Sequence, residues 1–163
     1  MAERIDWKTI LGGQTALVLA VRPGEETGRF GGLIAATLAS GRPPFVAILT
    51  DGGGGADGDG KRVAMQRERE SRAAAAALGL EDDRLLFVGL FDGTVPADGP
   101  LFDILIAALD LVTWRNDCRV LVTEEGGAGD HGAAAVVARA VSGRTGLPVV
   151  VRVAGAAERY RPL

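Results

Sequence analysis

The chain is poor in the residues that most often carry chemistry. Its 163 residues include one cysteine, one histidine and one tyrosine, and aromatics make up only 5%. A lone cysteine, Cys118, excludes an internal disulfide and a cysteine-built zinc site, and reads as a small buried or edge residue rather than a nucleophile. With His131 as the sole histidine, no histidine cluster can be assembled. No apolar run approaches the roughly 20 residues that span a bilayer, so no membrane span is expected. The apolar stretch at 16–21 is short and follows Asp6 and Lys8, unlike a signal peptide, and the expected location is cytoplasmic. Charge of either sign is also unremarkable: 18 Lys and Arg against 21 Asp and Glu leave a net −3. That balance gives no basic footprint and argues against nucleic acid as a partner.

What the chain does have is Val, Leu, Ile and Ala, with 24 glycines. Five nearly continuous apolar runs, at 16–21, 45–50, 85–89, 119–123 and 149–153, read as strands covered on both faces. Helical spacing lies between them. Phe30, Leu33, Ile34, Thr37 and Leu38 form the first stripe, with Gly41 as its stop. The second helix runs from about Arg62 to Leu78 and ends at Gly79. The third carries Leu101, Leu105, Ala108, Leu109 and Val112. The fourth starts near Asp130 and His131 and carries Val136, Val137, Ala140 and Val141 before Gly143. The alternation predicts one α/β domain over 1–163: a Rossmann-like, doubly wound, mostly parallel five-stranded sheet with helices on both faces. Ligands of such sheets bind beyond the carboxyl ends of the strands. Here that means 22–27, 51–60, 91–95 and 124–131.

Two familiar templates fail there. Gly24, Gly28, Gly31 and Gly32 do not have the GxGxxG spacing of a dinucleotide turn. The glycine-rich run at 51–60 fails as a calcium loop at its first and last ligand positions. It reads as a mobile loop, with Asp57 and Asp59 solvated.

A third template fits. The segments LAVRPGEETGRFGGLIAATLASG, VAILTDGG, RERESRAAAAALG, VGLFDG and GDHGAAAVVARAV stand in register with a known family pattern. That pattern is His-Pro-Asp-Asp-Glu after the first strand, a glycine pair in the first helix, and Thr-x-Gly-Glu after the second strand. Arg-x-x-Glu before Ala-Leu-Gly, Asp-Gly after the third strand and His-Pro-Asp-His before the last helix complete it. Over roughly 14–142 the chain resembles the PIG-L/LmbE-like de-N-acetylases. The resemblance implies zinc-dependent hydrolysis of an N-acetyl group on an amino sugar or related amide. Two histidines and an aspartate would hold the metal, a second aspartate would act as base, and a further histidine would assist. Catalytic zinc needs three such ligands and an open position, where it acidifies bound water to a pKa of about 7 and polarises the carbonyl.

The family's functional side chains are mostly absent. Arg22 stands at the first metal histidine, and a guanidinium has no lone pair to give. Gly24 stands at the base. Glu25 replaces the metal aspartate with a carboxylate one methylene longer, and Glu26 matches the family glutamate. Gly53 falls where a glutamate is frequent. Ala128 replaces the assisting histidine, while His131 keeps the final ligand position. Arg67 matches an arginine that faces substrate in active members, or else makes an exposed pair with Glu70 or Ser71. Asp92 matches the aspartate after the third strand, or else serves the turn before Gly93. Asp130 reads first as an N-cap.

The expectation is a degenerate member without zinc or hydrolase activity, with no cofactor. It would bind a small polar or sugar-like ligand, or a protein partner, through Arg22, Glu25, Glu26, Arg67, Asp92, Asp130 and His131. Arg22 would fill the metal's place by pairing with Glu25, Glu26 or Asp130. The alternative is an active metal-dependent de-N-acetylase with zinc rearranged onto Glu25 and His131, joined by Glu26 and a loop aspartate. A third reading is a structural subunit that forms homo-oligomers.

Overall fold

A computed structural model describes residues 7–54, 58–153 and 159–162. Six strands form one sheet: β1 (Ala16–Ala20), β2 (Phe45–Thr50), β3 (Leu85–Leu90), β4 (Val120–Glu124), β5 (Val149–Val153) and β6 (Arg159–Pro162). Their spatial order is β3-β2-β1-β4-β5-β6. The first five are parallel and β6 returns antiparallel to β5. The fold class is as the sequence predicts, with one strand more. β6 was not anticipated because Arg-Tyr-Arg-Pro is short, polar and ends on a proline, all marks of an edge strand rather than a core one.

Every residue of β1 and β4 is buried, as required of strands covered on both faces. Successive side chains alternate between two cores. Ala16, Val18 and Ala20 enter one with Phe30, Leu33 and Ile34, whereas Leu17, Leu19 and Val21 enter the other with Leu105, Leu109 and Val137. The first core lies beneath α1 (Trp7–Leu11), α2 (Glu25–Ala39) and α3 (Gly60–Leu78). The second lies beneath α4 (Gly99–Arg115) and α5 (Gly129–Thr145). Trp7 packs edge-on against Tyr160 with ring centroids 4.5 Å apart, tying α1 to β6.

Helix phases differ from expectation in two places: Val136, expected on the stripe of α5, is exposed, and α4 is rotated. α4 buries Leu105, Ile106, Leu109 and Thr113, while Leu101 and Ala108 face outward. α5 runs past Gly143 to Thr145 and stops at Gly146, whose φ of 74° closes it. Of the glycine-rich run, 55–57 (including Asp57) lie outside the described residues. Asp59 is exposed and pairs with Arg62 at the start of α3.

The strand order reverses between β1 and β4. That switch point is where a doubly wound sheet opens a crevice at its carboxyl edge, and α2 and α5 both begin there.

Candidate functional site

Four segments bring the site together: the β1–α2 turn, the β3–α4 turn, the end of β4 and the start of α5. Gly24 makes the first turn, since its φ of 93° lies in the left-handed region that side chains avoid. The turn aims Glu25 and Glu26 in opposite senses. Glu26 is fully buried beneath α2, accepting the Gly24 amide on Oε2 at 2.8 Å and the Ser71 hydroxyl on Oε1. It braces the turn against α3 and does not face the crevice.

Glu25 does face it. Its Oε1 lies 3.1 Å from His131 Nε2 and 3.5 Å from Arg29 Nη2. Arg29 also donates through Nη1 to Glu124 Oε2, and Arg152 donates to Glu124 Oε1 at 3.1 Å. His131 Nε2 stands 3.6 Å from Glu124. Beside two carboxylates, that nitrogen is placed to share a hydrogen with Glu25.

Arg22 turns away from this group. Its Nε donates to Asp92 Oδ1 at 2.7 Å, while Nη1 keeps a looser 3.9 Å ion pair with the expected partner Glu25, whose Oε2 accepts the Arg22 amide at 3.2 Å. Glu26 and Asp130, proposed as its partners, are engaged elsewhere. Asp130 is buried, and its oxygens accept the amides of Gly93 (2.6 Å) and Val95 (3.0 Å). It pins the β3–α4 turn rather than capping α5, where Ala128 holds the N-cap position. The hydrogen bond from Arg22 to Asp92 raises the Arg22 pKa further above its ordinary value, and the bond to Glu124 does the same for Arg29. Both guanidiniums are permanent cations.

Glu25, Glu124 and Asp92 thus face Arg22, Arg29 and Arg152, and their formal charges cancel. Arg29 and Glu124 had no place in the sequence-based site because the family pattern has no slot for them. The signals available were the Glu25–Arg29 spacing of four residues on a helix and the place of Glu124 at the head of the 124–131 segment. Arg67, by contrast, is exposed, and pairs with neither Glu70 nor Ser71; those bind Gln66 and Glu26. Lys61 and Arg67 have no side-chain partner among the described residues.

Beside Arg22 and Asp92 lies a cavity of about 580 Å³, between α3 and the carboxyl ends of β2 and β3. Met65, Phe87 and Phe91 supply its apolar wall; Lys61, Asp51 and Asp92 reach it. Gly53 sits where a side chain has no room, because a Cβ there would fall 2.5 Å from the Gly60 carbonyl oxygen.

Zinc, which the family pattern implies, can be weighed against these groups. Of its three donor positions Arg22 can give none, and His131 Nε2 is already paired with Glu25. Glu25 already shares its oxygen with a guanidinium. No group of three or more His, Cys, Asp or Glu among the described residues is arranged to hold a metal. The residues present do not fit the ion.

Known proteins place the chain. Residues 17–142 match the family model of the PIG-L GlcNAc-PI de-N-acetylases. No curated protein matches it in sequence. Among solved structures it is similar to N,N'-diacetylchitobiose deacetylase from Pyrococcus horikoshii (TM-score 0.70, 14% identity, 85% of this chain and 60% of that one). It is also similar to the 4-carboxy-2-hydroxymuconate hydratase GalB from Pseudomonas putida (TM-score 0.69, 21% identity, 85% and 65%). The zinc-inhibited teicoplanin deacetylase Orf2 is comparable (TM-score 0.66, 16% identity, 84% and 67%). The chain therefore spans less than two thirds of the first two. At these identities the likeness is one of fold. The family match over 17–142, with the sheet and crevice just described, makes this chain a member of the PIG-L de-N-acetylase family with a deacetylase-like α/β domain.

Proposed function

We propose that this member binds a small anionic, sugar-like ligand without metal and without hydrolysing it. One observation carries the reading: guanidiniums stand where the family chemistry needs a dication. Arg29 bridges Glu25 and Glu124, and Arg22 is held by Asp92. The region is neutral as it stands. Adding a divalent ion would set its charge beside guanidiniums that already pair with each of these carboxylates.

The family's own proton-transfer positions are vacated too. Gly24 and Ala128 have no acid or base, and Asp130 spends both oxygens on backbone amides. General acid–base catalysis needs a titratable group within hydrogen-bond reach of the reacting atoms. Binding is better supported. The cavity has a mostly apolar wall with a few polar groups converging on it, the usual make-up of a small-molecule site. Asp51 accepts the amides of Gly53 and Asp92, Asp92 accepts from Arg22 and Glu68 from Arg72, so the carboxylates at the cavity are hydrogen-bonded. Lys61 and Arg67, beside it on α3, are not. Lys61 therefore offers the cavity a cation with no side-chain partner among the described residues, which favours an anionic ligand. GalB, a hydratase by name, and the two deacetylases share the fold, so the fold does not dictate the chemistry.

The test pairs two titrations with one assay. Calorimetry with N-acetylglucosamine 6-phosphate should give saturable heat that falls in Lys61→Ala and Arg67→Ala. The same titration with N-acetylglucosamine should bind more weakly. Acetate release should be absent for both, with or without added zinc. Chelator-sensitive acetate release abolished by Glu25→Ala would replace this reading with an active de-N-acetylase.

A further inference from the structure

The cavity between α3 and the strand ends has an apolar part and a polar part. Lys61, Ala64, Met65 and Glu68 line it from α3, at the i, i+3, i+4, i+7 spacing that keeps one helix face turned to one place. Phe87 of β3 and Phe91, just beyond that strand, line it from the sheet. Met65 is 50% exposed and Phe91 75%, so neither is spent on a core. A concavity of about 580 Å³ falls in the range for a drug-sized molecule. A lone sugar would press hydroxyls against Met65, Phe87 and Phe91 and lose their hydration without replacement.

The polar part has acceptors to spare. Asp51 takes the amides of Gly53 and Asp92 on the same oxygen, Oδ1, and Asp92 takes Arg22 Nε on its own Oδ1. Each carboxylate keeps an Oδ2 with no bond to it among the described residues, open to a ligand hydroxyl. Gly54 leaves that approach clear, since a Cβ there would fall 2.5 Å from Asp92 Oδ2.

We propose that the ligand of this cavity carries an aromatic ring, seated against Met65, Phe87 and Phe91, beside its hydroxylated part at Asp51 and Asp92. The proposal rests on the reading above that the cavity takes an anionic, sugar-like ligand, and adds the apolar half of that molecule. A ring suits this wall better than a flexible chain. It is rigid, so little conformational freedom is lost on binding. It can meet phenylalanine rings edge-to-face or offset, and the Met65 thioether adapts its shape to an aromatic edge.

Calorimetry with glycosides of N-acetylglucosamine 6-phosphate that differ only in the aglycone tests this. The phenyl glycoside should bind on the order of tenfold more tightly than the methyl one, because one ring leaves water. The cyclohexyl glycoside should fall between them. Phe91→Ala and Met65→Ala, both at exposed positions, should keep the circular dichroism of the unaltered protein and each lose a large part of the phenyl advantage. Equal affinities for phenyl and methyl, a cyclohexyl glycoside as tight as the phenyl one, or a phenyl advantage unchanged in both variants overturns the aromatic seat and leaves the anionic reading standing. A phenyl glycoside without its phosphate that binds as tightly as the phosphorylated one supports the seat and overturns the anionic reading. No heat from any of the glycosides overturns both.

Discussion

Arg22 reaches Asp92 across the end of β2: Nε and Oδ1 are 2.7 Å apart although the residues are 70 positions apart in sequence. The pair joins the carboxyl end of β1 to that of β3, and it puts a fixed cation at the position where the family has a metal ligand.

Because Arg22 remains 38% exposed, solvent screens the pair and its worth is modest. Arg22→Ala and Asp92→Ala should each cost about 1 kcal/mol, and the double variant little more than either alone. Thermal unfolding of the four proteins gives the coupling directly, with shifts of about 2–4 °C expected for each single change. Strict additivity would show that the two side chains do not interact.

Glu26 should matter far more. Glu26→Ala strands the buried Ser71 hydroxyl and the Gly24 amide and removes a fully buried side chain. The expected loss is about 2–4 kcal/mol by urea unfolding. Glu26→Gln keeps one acceptor and should lose less. If both variants unfold like the wild type, the brace between α2 and α3 is not as described.

The five parallel strands and the convergence of Arg22, Glu25, Asp92, Asp130 and His131 were legible in the sequence. Uninterrupted apolar runs fix a covered strand, and the doubly wound order then fixes where the loops meet. The roles of these residues were harder to read. A carboxylate such as Asp130 looks the same in sequence whether it caps its own helix or holds a neighbouring turn, and only the path of the β3–α4 turn decides. Arg29 and Glu124 escaped notice because a family template draws attention to its own slots alone. The phase of α4 was misjudged because that helix is apolar almost all round, so periodicity gives it no preferred face.

Cys118 offers a clean probe of the fold. Burial raises its thiol pKa from 9.0 to about 11, since the thiolate is disfavoured away from water. A folded pKa above the unfolded one contributes stability that is complete below the unfolded value and is lost as pH rises towards the folded value. Native protein at neutral pH should therefore react slowly with a thiol reagent and rapidly in urea, and stability should begin to fall above about pH 9. Fast labelling of the native protein at pH 7 would contradict the placement of Cys118.

Rebuilding the family site should require more than the family residues. Arg22→His, Gly24→Asp and Glu25→Asp together restore a His-Asp-His donor set with His131, but Gly24→Asp puts a side chain at φ 93° for roughly 1 kcal/mol or more. Arg29 would still pair with Glu124 beside the new donors. Adding Arg29→Gln should therefore raise zinc affinity by on the order of tenfold over the triple variant. Equal affinities would mean that Arg29 does not compete with the ion.

The most direct measurement is zinc content and affinity of the unaltered protein, by elemental analysis after purification without chelator and by calorimetric titration. With guanidiniums already pairing Glu25, Glu124 and Asp92, the expected result is no stoichiometric zinc and no saturable heat. About one tightly held zinc per chain, lost in His131→Ala, would contradict the claim that arginines have taken the metal's place.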